Sequence, residues 1–185
     1  ASGTGFLQIA SILQMYGAKE GKEDGWEFLK KLDKNIGQYI KSGSRPAKMT
    51  ASGEFAVGAS FEFVVAELIK QGFPVKFVFP IEGAGYEVEA NALLKGAKNP
   101  VLAHLLINHL LSEDAGLSNF AFVGYQPPLT ALDPQRLVDE EYIPANLTSA
   151  IVRESDFDNG FQELELSPAG QKLWQNAWAE FKAGI

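Results

Sequence analysis

Ser2, Gly3 and Thr4 stand immediately before a dense apolar run, Phe6, Leu7, Ile9, Ala10, Ile12, Leu13 and Met15, whose spacing predicts a helix from about Thr4 to Tyr16. Ser and Thr are favoured N-cap residues. The free N–H groups and positive dipole end of such a helix also suit an anion, so anion capture and plain capping are both open here. Further along, Tyr86, Glu87, Val88 and Glu89 alternate in a stretch of extended character, which reads as a half-exposed strand with a polar face. Other groupings offer less chemistry. His104 and His109 are separated by ~140° around a helix and share no metal. Glu154, Asp156 and Asp158, with Glu165 in the closing position, sketch a calcium loop, but Asn159 stands where the sharp-turn glycine belongs. Asp139, Glu140 and Glu141 read as a solvated loop or helix end, and Asn146-Leu147-Thr148 matches a short glycosylation pattern that is common by chance.

No nucleophile elbow, Walker loop, dinucleotide fingerprint or His-Glu-x-x-His motif occurs. With 2 His and no Cys, acid–base and nucleophilic catalysis have little to work with, so the chain reads as a binder, not an enzyme, with neither cofactor nor metal implied. A net charge of −7, with only 16 Lys and Arg, disfavours nucleic acid and anionic membranes as partners. The absence of cysteine removes disulfides and thiolate metal sites and says little about compartment. No apolar run approaches the ~18 residues of a membrane span. The chain has neither an initiator Met nor a signal segment, as expected of a mature or truncated product.

The elements that must position these residues follow from periodicity. Asp24 to about Ile36 is a covering helix with Trp26, Leu29, Leu32 and Ile36 inward. After the break at Ser42-Gly43-Ser44-Arg45-Pro46, a short helix runs to Ala51 and ends at Gly53. Phe55 to Ser60 suits a buried strand, Glu62 to Gln71 a helix closed by Gly72, and Val75 to Phe79 a strand stopped by Pro80. Strand, helix, strand is the order of a βαβ unit with a parallel pair. A turn at Glu82 to Gly85 leads into extended Tyr86 to Leu94, and Asn99-Pro100 opens a nearly all-apolar helix, Val101 to Leu111. Pro-rich connections between short helical pieces follow, and Pro168 to Lys182 closes the chain as an amphipathic helix carrying Trp174, Trp178 and Phe181.

The ordered set SGTG, SGEFAVGASFE, KQGFPVKFVFPIEG, LLKGAKNP and LLSEDAG resembles the type II periplasmic solute-binding proteins of ABC transporters, in the branch of ferric-iron, phosphonate and polyamine binders. Residues up to about 99 are closer to ferric and phosphonate binders. GYQPPL (Gly124 to Leu129), YIPANLTSAIVR and the closing ELSPAGQKLWQNAWAEFKAG are closer to spermidine/putrescine binders. The resemblance implies an α/β lobe with a mostly parallel sheet flanked by helices, plus a C-terminal helical segment, with the lobe 1 sheet missing. Residues 1–85 would be the lobe-2-like domain, 86–98 the crossing strand, and 99–185 helices that pack on lobe 1. On that basis the apolar faces at 101–111 and 170–182 are orphaned and are covered by dimerisation or swapping.

Function follows by the same resemblance: a non-catalytic component of an ABC uptake system, periplasmic or extracellular, lipid-anchored in some full-length forms, delivering a small polar solute to a membrane permease. By family position, Ser2, Gly3 and Thr4 would share the cleft with Ser42, Gly43 and Ser44, whose plain reading is a solvent-exposed turn. Ser60, Phe61 and Glu62 would reach its edge, but Phe63 and Val64 stand where ferric binders place two tyrosines. Polyamine binders carry a Trp and an Asp after the Pro-x-Glu-Gly turn; here Glu87 replaces the Trp, Glu89 retains the ammonium-pairing role, and Tyr86 precedes both. A phosphonate or phosphate-like anion, or a metal–anion complex, is expected ahead of a polyamine. The competing expectation is a self-associating module that has lost ligand binding.

Overall fold

The computed structural model describes residues 3–17, 24–127, 134–162 and 166–184. In chain order the elements are helices α1 (Gly3–Gly17), α2 (Asp24–Asp33), α3 (Arg45–Ala51) and α4 (Glu62–Lys70), strand β1 (Gly85–Tyr86), then α5 (Pro100–Leu110), α6 (Glu113–Val123) and α7 (Pro134–Asp139). Two 3-10 turns, Ala145–Ala150 and Glu154–Phe157, precede β2 (Phe161–Gln162) and α8 (Pro168–Ala183). The helices expected from apolar spacing form close to their expected bounds. The second one stops early, at Asp33, because Asn35 and Ile36 donate to Leu32 and Asp33 in tight turns.

The core is built on α4. Val65, Ala66, Leu68 and Ile69 make one face at helical spacing and pack with Leu117 and Phe120 of α6, Leu137 of α7, and Ile143, Leu147, Ala150 and Ile151. Phe120, Leu137, Leu147 and Ile151 are almost wholly buried, each such side chain contributing ~1.5–3 kcal/mol relative to exposure. Ser112 caps α6, its Oγ accepting from Ala115 N, and Gly124 closes it in the left-handed region. Away from this core, α1 and α2 form a helical pair. Ala10, Leu13 and Leu29 are buried there, and Tyr16 stacks on Phe28 at 4.5 Å. Phe181 of α8 lies 6.0 Å from Trp26 of α2, and Trp178 meets Tyr39 edge-on.

The expected sheet does not form. Among the described residues, strand pairing is confined to β1 and β2, which run parallel with Gly85 opposite Phe161 and Tyr86 opposite Gln162. The stretches 55–60 and 75–79 do not pair as a βαβ unit, and beyond Tyr86 the 86–94 stretch has no ladder. A strand needs a neighbour for its backbone groups, and the described residues supply none here. The side-chain pattern of a strand is nonetheless present. Val75 and Phe77 pack against the core while Lys76 and Val78 face outward. Among the described residues the architecture is therefore helix-rich with one small parallel sheet, and the mostly parallel sheet expected from the resemblance is not seen there.

The turn between Pro80 and β1 is clasped onto the segment before β2. Phe161 N donates to Ala84 O at 3.1 Å, and Asn159 Nδ2 donates to Ile81 O at 3.3 Å. Gly83 has φ +111°, and a Cβ added there would lie 1.9 Å from Asn159 O, a main-chain atom that cannot move aside cheaply. On the other side, α1 supports the sheet through Gln14 Nε2, which donates to Gln162 O at 2.8 Å. Gly83→Ala is expected to cost ~2–4 kcal/mol by combining a strained φ with a backbone clash, read as a lowered midpoint in urea unfolding. A midpoint unchanged from the parent would show that the clasp is not maintained in solution.

Candidate functional site

β1 delivers the chain into an open groove of about 230 Å³ lined by Glu87, Val88, Glu89 and Gln162. Tyr86 turns the other way, meeting Phe157 edge-on at 5.1 Å, so it anchors the strand while the following carboxylates stay accessible. Gln162 enters the groove because β2 is paired to β1.

A second set of residues meets Glu89 from the opposite side in sequence. At the end of α6, Gly124 has φ +85° and lies against the first turn of α4, where an added Cβ would sit 3.3 Å from Phe63 O. Gln126 is clamped to Val152 in both directions. Its Nε2 donates to Val152 O at 2.6 Å, and its Oε1 accepts from Val152 N at 2.8 Å. Between these two fixed points, Tyr125 stacks on Phe63 at 4.4 Å, and Phe63 stacks on Phe61 at 5.7 Å. The Tyr125 hydroxyl is held above its ordinary pKa by burial first, then by the charges of Glu89 and Glu62 and a hydrogen bond with Glu89.

Glu62 begins α4, and its carboxyl is pushed up by burial, opposed by a hydrogen bond from its own backbone N–H. The charges of Glu62 and Glu89 thus both act on a phenol that rests on a shelf of aromatic rings. Charge-assisted hydrogen bonding from an ammonium would relieve the desolvated Glu62, and the ring faces add cation–π attraction. An anion would meet like charge.

The residues expected from the sequence divide accordingly. Glu62 and Glu89 both act on Tyr125 electrostatically, and Glu87 and Glu89 share the groove. Ser42, Gly43 and Ser44 do not line it. They form the turn into α3, where Ser44 occupies the N-cap position without a side-chain capping bond. Ser60 spends its hydroxyl on Phe61 O at 3.3 Å. Gly3 and Thr4 open α1, whereas Ser2 lies outside the described residues. Phe63, in a position where ferric binders have a tyrosine, serves as the shelf for Tyr125, and Val64 packs against the core. Of the acidic cluster at 154–158, Asp156 accepts from Arg153 N and caps a 3-10 turn; Glu165 lies outside the described residues. Phe61 was expected at the cleft edge beside Ser60 and Glu62, whereas Tyr125 and Gln162 were not read as site residues from the sequence. The signal for Tyr125 was the Gly-Tyr-Gln run that closes α6.

The sequence matches the bacterial extracellular solute-binding proteins over residues 1–145. The chain belongs to that family. Among curated relatives, an uncharacterised protein of Haemophilus influenzae is 30% identical over 90% of this chain and 50% of its own length. The gamma-aminobutyric acid-binding protein of Pseudomonas aeruginosa is 28% identical over 94% of this chain and 48% of its own. The spermidine/putrescine-binding periplasmic protein of Escherichia coli is 26% identical over 88% and 44% respectively. The chain thus spans about half the length of these relatives. No solved structure matches at comparable significance. Among the described residues of this solute-binding family member, no helix is long and apolar enough to cross a membrane.

Folding raises the pKa of Glu62, so its ionised form costs stability above that raised pKa. The cost fades as pH falls toward the ordinary carboxylate range and is absent where the residue is neutral in both states. Glu62→Gln is therefore expected to melt above the parent at pH 7 and to converge with it below about pH 4. Thermal unfolding monitored across that pH range checks this, and a gap that widens on acidification would reverse the assignment.

Proposed function

We propose that the chain is the solute-binding component of an ABC-type uptake system and that its groove receives an organic ammonium, as in a polyamine or an ω-amino acid. The observation that carries this reading is the carboxylate wall of Glu87 and Glu89 in one groove, with Tyr125 within electrostatic reach of Glu89 and Glu62. Carboxylates hold the ammonium, Tyr125 and the rings beneath it supply an aromatic face, and Gln162 offers an amide for a second polar group of the solute. The relatives named for spermidine/putrescine and gamma-aminobutyric acid support the same solute class, because each of those molecules carries a primary ammonium on a methylene chain. The Trp that polyamine binders place at position 87 is replaced here, and Tyr125 takes over as the ring that an ammonium can face.

A phosphonate or phosphate-like solute was the first expectation, resting on the hydroxyls at Ser2, Thr4, Ser42 and Ser44. It is less favoured because the groove wall is carboxylate and the turn at 42–44 does not line it. Delivery to a membrane permease, with the protein periplasmic or otherwise outside the cytoplasm, follows from the family. Nothing in the proposed role requires catalysis.

Titration calorimetry and thermal shift with putrescine, spermidine, gamma-aminobutyrate, phosphate and 2-aminoethylphosphonate discriminate these solutes. At least one amine is expected to raise the melting temperature by the ordinary linkage of ligand to folded state, while phosphate does not. Glu89→Gln is expected to weaken the amine roughly 10- to 100-fold, the range for a lost hydrogen bond to a charged group. Stabilisation by phosphate without any amine would overturn the reading.

A further inference from the structure

Asn159 is followed by Gly160, and no other asparagine of the chain precedes a glycine. Asparagine is among the thermolabile residues, and its lability depends on the residue after it. The main-chain nitrogen of that residue attacks the side-chain amide carbon. A following glycine, having no Cβ, neither blocks the approach nor restricts the backbone rotation that the attack needs. At Asn99 the reaction is closed, because Pro100 has no N–H to give up. At the remaining asparagines a side chain stands beside the attacking nitrogen. Glycine at 160 has a packing reason of its own, since a Cβ added there would lie 3.2 Å from Phe157 Cα and 3.3 Å from the Tyr86 ring.

The labile pair sits inside the clasp that joins β1 to β2. Asn159 is exposed, and its Nδ2 donates to Ile81 O at 3.3 Å. Its main-chain oxygen is the atom that a Cβ on Gly83 would strike, and two residues on, Phe161 N donates to Ala84 O at 3.1 Å. Gly160 N, the attacking atom, is itself spent on Phe157 O at 2.9 Å. Both reacting groups are thus held in hydrogen bonds while the clasp is closed, and they react when the segment opens locally.

We propose that Asn159 is a site of spontaneous covalent modification that unlocks this clasp. Gly160 N bonds to Asn159 Cγ, the Cγ–Nδ2 bond breaks, and Nδ2 leaves as ammonia with the proton that Gly160 N gives up. Water then opens the cyclic imide. Addition at Cγ leaves aspartate, and addition at the main-chain carbonyl carbon leaves isoaspartate, whose chain runs through Cγ. Aspartate turns a donor into a carboxylate that faces the Ile81 carbonyl, acceptor against acceptor. Isoaspartate lengthens the main chain by one carbon where Gly83 already approaches it. Either product loosens β2 against β1, and with it the place of Gln162 in the groove wall. The inference concerns the clasp alone and stands whatever solute the groove receives.

Ageing the purified chain at mildly alkaline pH, followed by peptide mapping in the mass spectrometer and enzymatic methylation of isoaspartate, is expected to show conversion at Asn159 ahead of every other asparagine. Gly83→Ala is expected to speed that conversion, because it opens the clasp without altering the reacting pair. Asn159→Asp supplies one product directly. It is expected to raise the exchange rate of the Phe161 amide hydrogen roughly 2- to 10-fold, the change in opening equilibrium for one lost hydrogen bond, with the circular dichroism spectrum kept. The aged chain gives the same readout without depending on the folding of a variant. Conversion at Asn159 no faster than at the other asparagines, a rate indifferent to Gly83→Ala, or Phe161 exchange unchanged in both Asn159→Asp and the aged chain would overturn the proposal.

Discussion

The packing of α4 against α6 and the Ala145–Ala150 turn is the constraint from which the rest follows. Val65, Ala66, Leu68 and Ile69 share one buried cluster with Phe120 and Leu147, and Gly124 lies against Phe63 and Ala66, which sets the start of α4 beside the end of α6. Phe61, Glu62 and Phe63 come from the first of these ends, and Gly124, Tyr125 and Gln126 from the second. A helix dipole and a free first turn would by themselves welcome a carboxylate at Glu62. The apolar surroundings created by this same packing oppose its charge, and the result is a carboxyl that benefits from a cation. The packing that positions α4 therefore also opposes the charge at its first residue.

The remaining pieces are fixed by main chain. The turn at Gly83 and the segment at Asn159 approach too closely for any side chain between them, and that approach brings β1 and β2 together. Glycine at 83 thus belongs to the architecture of the groove although it contributes no atom to its wall. Gln126 acts in a comparable way, spending both ends of its amide on Val152 and holding Tyr125 on its ring shelf.

Helices were legible because their apolar spacing and their caps lie within one segment. Pro100 at the start of α5 and the terminal α8 fell where local chemistry put them. Strands were legible only as side-chain alternation. Val75, Phe77 and Phe79 turn toward the protein as a period of two demands, yet a hydrogen-bond ladder depends on a second segment that local sequence does not specify. The site shows the same division. The exposure of Glu87 and Glu89 was readable from their alternation, whereas Tyr125 lies 36 positions beyond Glu89 and no local pattern links the two. Ser42, Gly43 and Ser44 form the turn into α3 and are not among the residues that line this groove.

The extended stretch at 75–79 has a further consequence. Among the described residues, its backbone from Lys76 to Phe79 has no ladder partner, so it is an open template on which another strand could grow. Its boundaries restrain that growth. Pro74 and Pro80 lack the N–H needed to extend a ladder in either direction, and Lys76 places a charge on the outward side. Such residues act as gatekeepers during synthesis and storage, limiting any fibre-like pairing to a few residues' length. The two prolines that bound this stretch thus limit pairing along an edge that is open among the described residues.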